Sequence, residues 1–296
     1  MLVCFIILVL FIYNSNLVID GASYGLMLWY KNVLPMLLPF MLISGVFVRK
    51  VNKLSSQNGK SKSLMALFIT FFLGIFCGYP LGAKTCSDFV QKKIYSKTLG
   101  NIILPLCNNS SPMFISGYIV YGILQDSISF FTVILCIYAP YILVTTVEII
   151  IFFIKYYKKD NLNQSDNINK FQKEEPNLYE YLINTINQIT FVGICIMFCS
   201  IITEFIIHIP YIEAPFSSYL SGITEITRGT MDIKNDILIS EKIKTALIIA
   251  MTSFGGISSI FQTKIVIDKS GLSIIYYTAI KAICAILTMG ICILLI

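Results

Sequence analysis

Two polar clusters interrupt an otherwise apolar chain. Asn108, Asn109, Ser110 and Ser111 lie in a run that opens at Leu104-Pro105 and closes at Gly117-Tyr118, and Glu225, Thr227 and Arg228 lie in the run Thr224 to Thr230. Amides, hydroxyls, a carboxylate and a guanidinium are groups that hold a solute by hydrogen bonds and charge. Hydrocarbon tolerates unwound backbone only where it is buried in protein or lines a cavity, so a pair of such breaks marks a solute site near the midplane of a carrier. The freed N–H groups of a half-helix at the first break would add donors, and the positive end of its dipole favours negative charge. Two glycine breaks accompany them, Gly78-Tyr79-Pro80-Leu81-Gly82 and Ser253-Phe254-Gly255-Gly256. Their glycines permit hairpin tips and close backbone approach.

An ionisable group at the centre of a membrane costs at least about 2.5 to 3.5 kcal/mol, so it is seldom idle. Lys84, Asp88, Glu148, Glu225, Arg228 and Lys281 qualify by position. Glu225 and Arg228, three apart, can pair on a helix, as can Lys84 and Asp88, four apart. Lys281, near the middle of the last span, can pair with Glu148 or with solute. Tyr79, Trp29 and Tyr30 read as interface or packing aromatics before stacking platforms.

Enzymatic chemistry has little to stand on. The chain holds a single histidine, His208, and no HExxH, GxSxG or phosphate loop. Its nine cysteines form no CxxC and read as small buried hydrophobes, with no disulfide frame or metal site. No cofactor is expected, and without an ATP motif uphill transport would draw on an ion gradient or a partner.

These groups must be held by membrane helices. Of 296 residues 56% are hydrophobic and 13% charged, against roughly 25% charged in soluble domains. The mean hydropathy is +0.78. The fold class is therefore all-α and polytopic, and the net charge of +6 reports topology, with no nucleic-acid partner, because Lys and Arg cluster in loops. Residues 2–19 form a retained signal-anchor span, with a connection to residue 24, and 25–48 a second span kinked at Pro35 and Pro39. That span exits to a cytoplasmic loop with Arg49, Lys50, Lys53, Lys60 and Lys62. A re-entrant hairpin is expected over 63–94, a broken crossing over 98–124 and a return over 128–155. Residues 156–178 form a cytoplasmic linker. Spans at 181–207 and 272–296 then flank a short segment at 216–232 and an apolar run at 243–267 broken at the second glycine site.

The halves 25–155 and 179–296 repeat an order of span, glycine break (GYPLGAK against FGGISS), amphipathic stretch and span. They would be inverted repeats with broken or re-entrant helices and about 7 to 8 crossings in all.

GYPLGAK at 78–84, LCNNSSPMFISG at 106–117, the Glu225–Gly229 stretch and Ser253–Gly256 together resemble the sporulation integral membrane proteins of the YlbJ (SpoVV) type, which carry two nucleoside-recognition or Gate domains. The chain departs from that pattern at Ser110-Ser111, where a Gly-Pro pair would follow the asparagines. The resemblance implies a core like that of concentrative nucleoside transporters and export of dipicolinic acid from the mother cell across the outer forespore membrane. It places the solute at Gly78, Tyr79, Lys84, Asn108, Asn109, Ser110, Ser111, Glu225, Thr227, Arg228, Gly255 and Gly256. Arg228, the only arginine besides Arg49, is then the expected cation for a solute carboxylate, since a guanidinium fork matches a planar carboxylate. The implied partners are a small anionic solute and membrane lipid; a coupling ion and a homo-oligomer stay open. A structural or assembly factor of spore formation, or a carrier of nucleoside-like solutes, remain the alternatives.

Overall fold

A computed structural model describes residues 2–39, 41–43, 59–157, 178–209 and 212–296, and the described residues form helices without strands. Helix α1 (Leu2–Tyr13) passes at Asn14 into α2 (Ser15–Leu28) and a π turn at Trp29–Val33. Main-chain bonds bridge the joint, from Asn14 N–H to the Leu10 carbonyl and from Val18 N–H to the Asn14 carbonyl. The boundary expected at residue 24 thus falls inside a helix, with no loop between two spans. The loop at 49–58 and most of the linker, 158–177, lie outside the described residues.

Small residues seat α2 on the long helix that opens the second half. Gly21 and Gly25, four apart, face α8 (Leu178–Ile207) so closely that a Cβ on either would lie 2.8 Å from a main-chain carbon of Ile201 or Met197. This is the close backbone approach that small-xxx-small spacing permits in membranes. Gly193 of α8 lies under the ring of Trp29, whose indole N–H donates to the Ile189 carbonyl at 3.1 Å. Phe11 stacks on Phe205 further along.

Two helical hairpins follow one design. Helices α3 (Gly59–Cys77) and α4 (Leu81–Gln91) fold back on each other around Gly78-Tyr79-Pro80. Gly74 and Gly82 meet beside that tip, and both abut the Cys107 carbonyl. The second hairpin joins α9 (Phe216–Thr224) to α10 (Ile226–Asn235) through Glu225 alone, with Gly222 against Gly229. Each tip therefore carries a glycine pair that lets its arms touch.

A broken run follows each hairpin. Helix α5 (Lys97–Cys107) gives way to the irregular Asn108–Ser111, then α6 (Pro112–Phe114) and a π-helical stretch, Ile115–Ile123. Ser111 accepts the Phe114 N–H at 3.2 Å and Pro112 takes the first helical position, the usual start of a helix. In the second half, α11 (Glu241–Phe254) is cut at Gly255 and resumes as α12 (Gly256–Ile267). Gly255 and Gly256 have φ of +85° and +73°, two successive left-handed residues that only glycine adopts without strain. The two single helices are α7 (Phe130–Tyr157) and α13 (Ile274–Leu295).

The glycine breaks therefore differ from the expected pairing. Gly78–Pro80 closes a hairpin, as Glu225 does, whereas Gly255 interrupts a run that continues, as Asn108–Ser111 does. Five described helices are long and apolar enough to cross a membrane: Ser15–Ile43, Phe130–Lys155, Tyr179–Ile207, Glu241–Ser270 and Ile274–Leu295. The difference from 7 to 8 lies in the two expected first spans, which give the single candidate Ser15–Ile43, in the cut at Asn108 and in the short arms at 216–232. The chain is an all-helical integral membrane protein.

Candidate solute-binding site

The four interruptions meet. A Cβ on Gly78 would lie 2.8 Å from the Ser111 nitrogen, one on Gly255 would collide with the Tyr79 hydroxyl, and one on Gly256 would lie 3.3 Å from Glu225 Cα. Ser110 Oγ donates to the Thr252 carbonyl at 3.1 Å, tying the first broken run to the second. Tyr118 donates to the Thr227 carbonyl at 2.6 Å, and Tyr141 to the Ser253 carbonyl at 2.8 Å. Tyr138 and Tyr277 likewise donate to the Ser110 and Asn108 carbonyls, so carbonyls at the breaks find side-chain partners on neighbouring elements, which is what makes unwound chain tolerable at this depth.

Between the breaks lies a small, partly open cavity of about 60 Å3. That is room for a few water molecules and less than the roughly 300–1,000 Å3 of drug-sized sites, so a solute enters only as the surrounding tips part. Val33, Leu37, Phe114, Val192, Ile196 and Ile226 supply apolar wall, while Tyr79, Ser110, Ser111, Glu225, Thr227, Ser258, Ser259 and Gln262 supply polar groups. No lysine or arginine is among the lining residues.

Glu225 is the charged group on that wall. Its backbone is extended and it caps α10, with Oε2 accepting the Arg228 N–H at 2.8 Å and Oε1 accepting the Thr227 hydroxyl at 3.0 Å. Gln262 is 4% exposed, and its Oε1 has no hydrogen-bond partner while Nε2 donates to Ser258 Oγ at 3.3 Å. A buried amide left half-satisfied beside a cavity is a group waiting for a ligand atom.

Of the sequence-predicted residues, Tyr79, Ser110, Ser111, Glu225, Thr227 and Gly255 line the cavity. The others do different work. Asn108 staples three elements: its Nδ2 donates to Thr263 at 2.8 Å and Tyr277 at 3.0 Å, and its Oδ1 accepts the Ala83 N–H at 3.2 Å. Asn109 donates to the Pro105 and Leu106 carbonyls and accepts from Lys281 Nζ at 2.6 Å. Gly78 and Gly256 sit behind the wall as close-contact residues, and Lys84 lies half-buried on α4 away from it. The guanidinium of Arg228 turns from the cavity to Glu204 Oε2 at 2.5 Å, the Ser200 carbonyl at 3.1 Å and Asp232 Oδ2 at 3.7 Å, over the ring of Tyr24. Its link to Glu225 runs through the main chain.

Behind Tyr79 on that wall stands Lys281. It is fully buried on α13 and donates to the Tyr79 hydroxyl at 2.7 Å as well as to Asn109. The rings of Tyr79, Tyr141 and Tyr277 surround its ammonium at 4.9, 4.9 and 5.9 Å, a cation–π cage. Glu148 instead accepts from Tyr276.

Gln262, Glu204, Asp232 and the tyrosine cage escaped the sequence reading. Gln262 had a signal: Gly255, Ser258, Ser259, Gln262 and Thr263 recur at helical spacing, a polar stripe on an apolar helix. Eight cysteines, from Cys77 to Cys292, are buried and unbridged.

No family profile matches the chain, and no solved structure matches it. Among curated proteins it is similar to the sporulation integral membrane protein YlbJ of Bacillus subtilis (strain 168), 25% identical over 124 residues. The match covers 36% of this chain and 28% of the relative's length. The relation is distant, and the relative is a membrane protein of sporulation.

Proposed function

We propose that this protein is a membrane carrier of spore formation whose solute is a small aromatic dicarboxylate, dipicolinic acid, moved from the mother cell across the outer forespore membrane. The observation that carries the reading is the convergence of four chain breaks on one cavity with a half-satisfied Gln262. An assembly factor has no need of such a space, and a packed apolar core would serve it better. Each hairpin with the broken run after it forms one Gate-like unit, and the two units are inverted repeats able to rock about the cavity. The apolar wall suits an aromatic ring, and Tyr79 with Lys281 behind it offers polar partners to a carboxylate.

A nucleoside-like solute is the second reading. Its support is the lining itself, where Glu225 and Gln262 stand without a basic side chain. Uptake of labelled dipicolinate and labelled uridine into proteoliposomes separates them. Dipicolinate entering above the protein-free control, with uridine excluded, is the expected result; uridine alone entering reverses the assignment, and neither entering favours the assembly role.

A further inference from the structure

Two buried ionisable groups approach the cavity from opposite tips without pairing to each other. Glu225, 1% exposed, stands on the tip of the second hairpin with its carboxylate on the lining. Lys281, 0% exposed, reaches the lining through the Tyr79 hydroxyl on the tip of the first. That oxygen accepts from Lys281, and the same hydroxyl hydrogen-bonds with the Ser110 and Ser259 side chains on the lining, so a solute would join this cluster. Gly255 abuts the Tyr79 hydroxyl and Gly256 abuts the Glu225 main chain, so the two tips flank one glycine elbow.

The surroundings of both groups are short of countercharge. Facing Glu225 are the Thr227 hydroxyl and Arg228 N–H on its own helix, Tyr118 from the π stretch, Tyr24 from α2, Cys199 from α8 and, further off, Asp232. The Arg228 guanidinium is engaged by Glu204 and Asp232. Lys281 faces Tyr79, Tyr141, Tyr277 and Cys284. A planar dicarboxylate between the tips would set one carboxylate on the Tyr79–Lys281 donors and the other beside Glu225. Two carboxylates held that close in a low dielectric do not both ionise; they share a proton.

Resting on the dicarboxylate reading above, we propose that the cavity takes its solute as a monoanion, with the ionised end on Tyr79 and Lys281 and the other end sharing one proton with Glu225. The proton comes from water on the loading side and returns to water on the other, so one proton travels with each dianion.

The test uses the full chain in proteoliposomes with a pH-sensitive dye inside. Between about pH 6 and pH 8 the apparent affinity for labelled dipicolinate should fall about tenfold per pH unit, and uptake should acidify the lumen. Glu225→Gln should flatten that slope and abolish the proton signal. 6-Carbamoylpyridine-2-carboxylate, which offers an amide N–H in place of the acid O–H, should compete on the wild-type protein equally at each pH, a comparison that holds even if the variant fails to insert. Dipicolinate uptake that is flat with pH and moves no proton, a Glu225→Gln slope equal to the wild-type one, or a carbamoyl competitor that follows the dipicolinate slope overturns the proposal while leaving the carrier intact. No dipicolinate uptake at any pH, with uridine entering, overturns the dicarboxylate reading and this one with it.

Discussion

Lys281 Nζ lies 2.7 Å from the hydroxyl of Tyr79, 202 residues away in sequence, and so ties the last helix of the chain to the tip of its first hairpin. The same ammonium holds Asn109 at 2.6 Å. One buried cation thus fastens a hairpin tip and the neighbouring helix break together.

Lys281→Met should separate packing from function. The thioether nearly fills the volume, and replacing a buried charge by an apolar side chain is often neutral or stabilising. Carboxylate uptake should nevertheless fall roughly 30-fold, equivalent to about 2 kcal/mol of lost charge-assisted bonding. Thermal unfolding in detergent alongside uptake checks both halves, and unchanged uptake would reduce Lys281 to a packing residue.

Arg228→Gln should act mainly on stability. It leaves Glu204 and Asp232 facing each other without the guanidinium, at a cost of about 3 to 5 kcal/mol for a buried pair broken on one side. Adding Glu204→Gln should recover part of the loss, and the relative uptake of competing solutes should not change. Loss of dicarboxylate uptake at undiminished thermal stability would return Arg228 to the role of solute cation.

Gly255→Ala should disable the carrier where Gly290→Ala does not. Gly255 sits at φ +85° with the Tyr79 hydroxyl against it, whereas nothing lies within 4 Å of a Cβ on Gly290. A left-handed non-glycine residue costs about 1 to 3 kcal/mol before any clash. Equal insertion of the two variants with uptake lost only in the first is the expected outcome; equal uptake in both would show that the elbow can relax.

Gly21→Ile should loosen the α2–α8 seam, since its Cβ would press on the Ile201 main chain at 2.8 Å. Overpacking of this kind costs about 1 to 3 kcal/mol. Limited proteolysis should show earlier cleavage in or before α2, and a protease pattern identical to wild type would place the seam elsewhere.

Membrane class and the two polar breaks were legible because hydrocarbon penalises exposed polar backbone, and few sequences carry such runs without use. The work done by each residue in a break was not legible. Asn108 and Ser110 are two apart, yet one staples helices and the other lines a cavity, and only three-dimensional packing decides which. Arg228 pointed the reading astray for a related reason: its partners, Glu204 and Asp232, lie 24 residues before it and four after, and a rare intramembrane charge looks functional until its countercharges are seen. The hairpin at Glu225 was hidden because a single extended residue turns the chain, leaving no loop-like composition to find.

Cys77 offers the most direct test that this cavity holds the solute, because it is a lining residue beside Tyr79 while Cys136 and Cys292 lie in the core away from it. Reaction with a small thiol reagent, followed residue by residue by mass spectrometry, gives the rate at each cysteine with and without dipicolinate. At ten times the Kd, dipicolinate should slow modification of Cys77 about tenfold by occupying the site, and leave Cys136 and Cys292 unchanged. Saturating dipicolinate that is transported yet leaves the Cys77 rate untouched would place the solute elsewhere and contradict the account.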